Sequence, residues 1–334
     1  MKRRVVITGL GAVTSLSCRV EELWAALLEG RSGIRPIRGF DASRFRSRIA
    51  GEIQDWNTDG YVPPKDVKRL DRFVQFGLVA AIDAVRDVAQ RLDEQGIEVA
   101  VFPEAFLTGY CVGSADEARR IAIPAEHESL RALRDASSRT GIVTVVGFAE
   151  VDGDVLYNSA AIFFGGRVEV YRKTHLPFLG LDRYVREGDR LAVYDTPVGR
   201  IGVLICFDQR HPEPCRVLAL EGADLIALPT NWPNGASIAP TLIAPTRAAE
   251  NRVFFAACNR VGSENGFTFI GKSGIFSPDG GVLSRAGDGE EVIVADLDLA
   301  QARLKRSVVI EGEYEMATFD SRRPELYGRL TEPR

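Results

Sequence analysis

Residues 199–213 read GRIGVLICFDQRHPE. The run from Ile201 to Ile205, interrupted only by Gly202, has the length and composition of a strand buried on both faces. Cys206 closes it and Phe207-Asp208-Gln209-Arg210 breaks it. This spacing predicts a strand over Ile201–Cys206 that delivers a thiol to a strand-to-loop break. Downstream, a helix is expected over Glu213–Glu221, a strand over Leu225–Pro229, a helix over Pro245–Asn251 and a strand over Val253–Cys258. Upstream lie expected strands at Val99–Phe102, Ile142–Glu150, Ser159–Phe164 and Val168–Tyr171, with Gly165-Gly166 turning the last pair and a helix over Glu128–Arg139. Gly274–Phe276 and Val292–Asp296 read as the final strands. Strands alternating with helices, plus hairpins, argue a layered α/β fold.

Two other strings bring complementary chemistry. Glu104 sits in VFPEAFLTGY (101–110), directly after an apolar run, and Lys173 in YRKTHLP (171–177). A thiolate is a strong nucleophile but needs a base or a nearby cation to form near neutral pH. A carboxyl against apolar walls has a raised pKa, so Glu104 is the candidate general base that takes the thiol proton and hands it to a departing amine. Lys173 can act as a fixed cation beside a developing oxyanion, with the Phe207 backbone N–H as second donor. Singly, each residue has a plainer reading: a core thiol, a capping carboxylate, a solvated strand end. Cys111, Cys215 and Cys258 are read as small core residues, and His175 and His211 as structural.

The chain has 334 residues, 45% of them apolar, enough for a sizeable core, and a net charge of −4 that does not suggest a general nucleic-acid binder. Charge is uneven: residues 1–85 hold 14 Lys/Arg against 10 Asp/Glu, and the remainder 28 against 36. Five cysteines without CxxC spacing favour a reducing, cytoplasmic setting. Three scattered histidines argue against a catalytic metal, and no cofactor is implied. Lys2-Arg3-Arg4 before an apolar stretch imitates a secretion signal, but Thr8, Gly9 and Gly11 interrupt it, so a cleaved leader is not expected. No run approaches the roughly 20 apolar residues of a membrane span.

From about residue 90 onward the chain resembles the nitrilase superfamily of thiol-dependent carbon–nitrogen hydrolases. The strings that carry this, in order, are VFPEAFLTGY, GFAEVDGDVLYNSAAIF (147–163), YRKTHLP, GRIGVLICFDQRHPE, LPTNWP (228–233), RAAENRVFFAACNR (247–260) and GKSGIFSPDG (271–280). The resemblance implies a four-layer α-β-β-α sandwich over 86–334, and Glu104, Lys173 and Cys206 as base, stabiliser and nucleophile, with a thioester on Cys206. It also implies a homodimer or larger homo-oligomer, with the segment around Glu313–Tyr327 reaching across the interface. The expected reaction converts a small linear amide to acid and ammonia. N-carbamoyl amines and nitriles are the alternatives, the nitrile branch less favoured because Phe207-Asp208 stands where its members tend to have Trp-Glu. Arg210 and Pro212-Glu213 also lean toward amidases. Many members carry a second glutamate after the lysine. Here Asp182 is the nearest carboxylate, ahead of Glu187, and is the candidate for substrate positioning. Asn231 and Trp232 are candidate substrate contacts at the pocket mouth.

Residues 2 to about 85 resemble instead the start of a β-ketoacyl-[acyl-carrier-protein] synthase, through RRVVITGLGAVTSL (3–16), VEELWAALLEGRSGI (20–34), FDASRFRSRIAGEI (40–53) and LDRFVQFGLVAAIDA (70–84). The segment stops short of that family's nucleophilic Cys and its histidines, so it is an atypical N-terminal segment without catalytic residues. The strand that usually precedes the FPE string is absent. One expectation is that Val5–Thr8 replaces it and a helix over Arg69–Gln95 replaces the lost helix. A missing central strand would leave buried backbone groups unpaired, at a cost on the order of several kcal/mol. Two readings of other classes follow: a non-enzymatic fusion or scaffold, and an acyl-carrier-protein-binding module built on Arg35, Arg38, Arg44, Arg46 and Arg48.

Overall fold

The structure, a computed structural model, describes residues 13–53, 56–59, 67, 75, 79 and 96–332. The strand expected at Val5–Thr8, and most of the helix expected over Arg69–Gln95, lie outside the described residues. Among these residues no helix is long and apolar enough to cross a membrane.

In chain order the elements are α1 (Val20–Leu28), β1 (Arg35–Pro36), β2 (Ile49–Ala50), β3 (Val99–Val101), α2 (Ala115–Ile121), α3 (Glu128–Thr140), β4 (Val143–Asp152), β5 (Val155–Phe164) and β6 (Arg167–Arg172). Then come β7 (Val193–Thr196), β8 (Gly199–Val203), α4 (Pro212–Leu220), β9 (Leu225–Thr230), α5 (Ala244–Asn251), β10 (Phe254–Asn259), β11 (Val261–Glu264), β12 (Phe267–Ile270), β13 (Gly274–Phe276) and β14 (Val282–Arg285). A short α6 (Ala300–Arg303) and the hairpin β15 (Ser307–Ile310) and β16 (Tyr314–Met316) follow. Four strands form one sheet in the order β3-β4-β5-β6, and six form another in the order β14-β13-β10-β9-β8-β7.

The chain divides into two compact units. One comprises Met1–Ala100, Pro124–Val143 and Phe163–Val168. Within it, β1 and β2 pair through Arg35 with Ala50 and Pro36 with Ile49, and the Glu52 carboxylate receives the N–H groups of Arg38 and Gly39. The helical spacing of Leu23, Trp24, Leu27 and Leu28 does produce α1, but Trp24 and Leu28 stand 63% and 71% exposed and Ala26 is the buried position. His127 caps α3, its Nδ1 accepting from the Ser129 N–H, and Gly141 ends it in the left-handed region.

The other unit comprises Val101–Ile123, Thr144–Ile162 and Glu169–Arg334. It holds the whole six-stranded sheet. β8, β9 and β10 run parallel, and the connections between them carry α4 and α5. β9 is buried at every position, as an apolar strand covered on both faces must be. Pro212 opens α4, where its missing N–H costs nothing.

Two sequence expectations are corrected here. The strand leading to Cys206 ends at Val203, because Cys206–Arg210 winds into a 3-10 turn that begins at the cysteine. Val292–Asp296 is not a strand: Val292 and Val294 are 40% and 48% exposed, and no strand among the described residues pairs with them.

Gly147 sets the approach of β4 to the loop that carries Glu104. Its N–H donates to Pro103 O and its carbonyl accepts the Leu107 N–H. A Cβ there would lie 2.4 Å from the Ala105 nitrogen and 2.7 Å from the Glu104 Cα. Gly147→Ala is therefore expected to lower the unfolding free energy by about 1–3 kcal/mol, read from urea denaturation; an unchanged midpoint would contradict this packing.

Candidate active site

Glu104, Lys173 and Asp182 come together inside the second unit, with exposures of 1%, 0% and 4%. Glu104 follows Pro103 at the end of β3, on a loop whose next residue, Ala105, takes φ 48°. Lys173 continues β6, its N–H donating to Asn158 O on β5 at 2.8 Å. Asp182 lies on a 3-10 turn, Gly180–Arg183, that packs on the Tyr110 ring so closely that a Cβ at Gly180 would lie 2.6 Å from a ring carbon.

The Lys173 ammonium donates to Glu104 Oε1 at 2.8 Å and to Asp182 Oδ2 at 2.6 Å. Asn158 Nδ2 donates to Glu104 Oε1 and to Asp182 Oδ1, both at 2.8 Å. The Tyr110 hydroxyl donates to Asp182 Oδ2 at 2.8 Å. Glu104 Oε2 is buried without a hydrogen-bond partner among the described residues.

Burial alone would depress the Lys173 pKa, but the Asp182 and Glu104 carboxylates outweigh it and hold the ammonium firmly charged. Burial raises the Glu104 pKa, and the Asp182 charge adds to this, while Lys173 works against both without cancelling them. Burial, with the Asp182 charge, also pushes Tyr110 up, so it stays a neutral donor.

Cys206 is half-buried and takes φ 44°, a left-handed conformation uncommon for a residue with a Cβ. Burial, reinforced by the Glu104 charge, pushes its thiol up to about 12, while Lys173, the Thr230 hydroxyl and the Asn231 backbone N–H act in the opposite direction. The thiol therefore shares its surroundings with Glu104 and Lys173. Phe207 follows it at the start of the 3-10 turn.

Asn231 and Trp232 are both buried, at 1% and 3% exposure, which corrects their placement at a pocket mouth. Asn231 Nδ2 donates to Glu104 O at 3.0 Å, and the Trp232 N–H donates to Asn259 Oδ1 at 2.6 Å. Glu187 is exposed, whereas Asp182 joins the cluster. Among the described residues no group of acidic, His and Cys side chains could hold a metal ion.

Sequence reasoning misses Asn158, Tyr110 and Asp208 as site residues. A signal for Asn158 existed: it is a polar residue inside a strand buried over most of its length, and such a group needs partners.

The sequence pattern of the family described as carbon-nitrogen hydrolase matches residues 75–307. The chain belongs to that family. It is 43% identical over 241 residues to a nitrilase of Pyrococcus abyssi, covering 71% of this chain and 88% of the relative. The solved structure of a mutant amidase from Nesterenkonia sp. AN1, with the acetamide moiety of fluoroacetamide added covalently at its active site cysteine, superposes with a TM-score of 0.61. It shares 25% identity and covers 75% of this chain and 90% of that one. The α-β-β-α sandwich of this family is the fold seen here. A 3-oxoacyl-[acyl-carrier-protein] synthase 2 of Vibrio harveyi matches 34% of the chain at 41% identity, but only 25% of that synthase is covered. This agrees with the resemblance of the N-terminal segment. The protein is thus a nitrilase/amidase-type carbon–nitrogen hydrolase that carries a fragment resembling a condensing enzyme.

Replacing Lys173 by Met would leave two buried carboxylates without their cation. The expected loss is about 3–5 kcal/mol of unfolding free energy, measured by urea denaturation. A loss below about 1 kcal/mol would show that the cation is not needed to hold the pair.

Proposed function

We propose that the protein hydrolyses a small linear amide to a carboxylic acid and ammonia through a thioester on Cys206. The observation that carries this is the convergence of Glu104, Lys173 and the strained Cys206 turn. Glu104 Oε1 already accepts from Lys173 and Asn158, so Oε2 is the atom left to exchange a proton. The Cys206 thiol proton passes to Oε2 as the Sγ–C bond forms, which makes attack and deprotonation one event. With its thiol held up at about 12, Cys206 is not a standing thiolate.

Lys173 has three N–H donors and spends two on Glu104 and Asp182, so the third can meet the oxyanion together with the Phe207 N–H. Glu104 then protonates the departing nitrogen as the C–N bond breaks. Water attacks the thioester, its proton going to Glu104, and the thiol leaves with that proton. Asp182 positions the ammonium, and Asn231 braces the Glu104 backbone. The covalent adduct on the active site cysteine of the Nesterenkonia amidase supports the assignment of Cys206. Amides are placed ahead of carbamoyl amines and nitriles because Phe207-Asp208 follows the cysteine; the amidase neighbour agrees with this, while the relative named nitrilase keeps nitriles as the alternative.

Ammonia release from the full chain should be detected with short amides and should vanish in Cys206→Ala. No release across amides, carbamoyl amines and nitriles from a folded protein would defeat the reading. Because Glu104 must be ionised to accept the proton and its pKa is raised, kcat/KM should fall on acidification with a midpoint above the ordinary value of about 4.3. No further rise is expected near pH ~8.5, where a free thiol would titrate. A pH–rate profile that rises near ~8.5 would place a standing thiolate in the mechanism instead.

A further inference from the structure

Asp208 lies two residues past Cys206 and is fully buried. Its Oδ2 accepts the Ile205 N–H at 2.9 Å and the Tyr171 hydroxyl at 2.7 Å. Its Oδ1 accepts the Thr174 hydroxyl at 3.0 Å and the His175 N–H at 2.9 Å, and stands 2.9 Å from His175 Nδ1. A carboxylate only accepts, so the proton of a neutral His175 sits on Nδ1. The donors come from both sides of Lys173 and from the residue just before Cys206. Tyr171 belongs to β6 of the four-stranded sheet, and Ile205 follows β8 of the six-stranded one. One carboxylate therefore ties the strand end that delivers the ammonium to the turn that delivers the thiol.

We propose that Asp208 is a positioning residue for the reaction: it clamps the Cys206 turn onto the Tyr171–His175 segment and so fixes the sulfur beside Lys173 and Glu104. The proposal rests on the roles given above to Cys206 and Lys173. The Ile205 N–H bond closes the turn in which Cys206 is held at positive φ. Without it the cysteine relaxes toward negative φ and its Sγ swings away from the ammonium. His175 stacks on His211 with ring centroids 4.4 Å apart, and Phe207 meets His211 edge-on, so the outer side of the clamp is packed as well. Asparagine has the same shape but one of its two arms is a donor, which would face N–H groups where Asp208 now accepts.

The test is Asp208→Asn in the full chain, with Tyr171→Phe and Thr174→Val each removing one donor. For Asp208→Asn, kcat should fall about a hundredfold or more, the usual consequence of a misplacement near ~1 Å, while KM stays within about threefold. The single-donor variants should each lose about fivefold in kcat. The pH dependence of Cys206 alkylation by iodoacetamide reads the sulfur's surroundings without turnover. Its midpoint should move down from the high value of the buried thiol toward the ordinary value of about 8.5.

A folded Asp208→Asn protein with kcat within about threefold of wild type and an unmoved alkylation midpoint overturns the proposal. If that variant does not fold, the other two decide, and full kcat in both overturns it. A wild type without Cys206-dependent ammonia release defeats the catalytic reading instead, and the alkylation midpoint then judges Asp208 by itself.

Discussion

A fully buried ammonium bridging two buried carboxylates is the interaction around which this protein is built. An isolated charge at that depth would carry a large desolvation cost, and Lys173 is tolerable only because Glu104 and Asp182 lie within hydrogen-bond distance. Two carboxylates facing one cation leave an excess negative charge. Donors from elsewhere offset it: the Asn158 amide bridges both carboxylates and the Tyr110 hydroxyl reaches Asp182. Each donor imposes its own requirement on the backbone. Asn158 must sit mid-strand in β5, Tyr110 must lie under the glycine of the Asp182 turn, and β4 must approach the Glu104 loop without a side chain at Gly147.

The thiol arrives from the other sheet, and Asp208 and Asn231 tie its surroundings to the segments that carry Lys173 and Glu104. Asn231 follows β9 and reaches the Glu104 carbonyl, while Asp208 reaches the residues around Lys173. Both are buried polar groups in a mostly apolar interior. Such groups carry a penalty unless partnered, and here their partners lie in the segments that carry Glu104 and Lys173. The partnering of buried polar groups and the assembly of the site are one constraint.

Much of this was legible in the chain. The apolar runs at β8 and β9 and the paired glycines between β5 and β6 announced their elements, because burial on both faces and positive φ leave few residue choices. Glu104, Lys173 and Cys206 could be named from their strings. The cross-links could not: Asp208 meets Tyr171, Thr174 and His175 across separations of 37, 34 and 33 residues, and local pattern carries no trace of that pairing. Asn265-Gly266, with φ 45° and 86°, marks the β11–β12 hairpin with a dipeptide suited to a tight turn. Val292–Asp296 reads as a strand and is not one, because a strand needs a neighbour as well as β-forming residues.

The burial that holds the Cys206 thiol protonated at rest has a bearing on the protein's chemical durability. Oxidants and stray electrophiles attack thiolates, and a thiol whose ionisation is disfavoured by burial presents little thiolate to them. The same burial that disfavours ionisation makes this sulfur a poor target for peroxide.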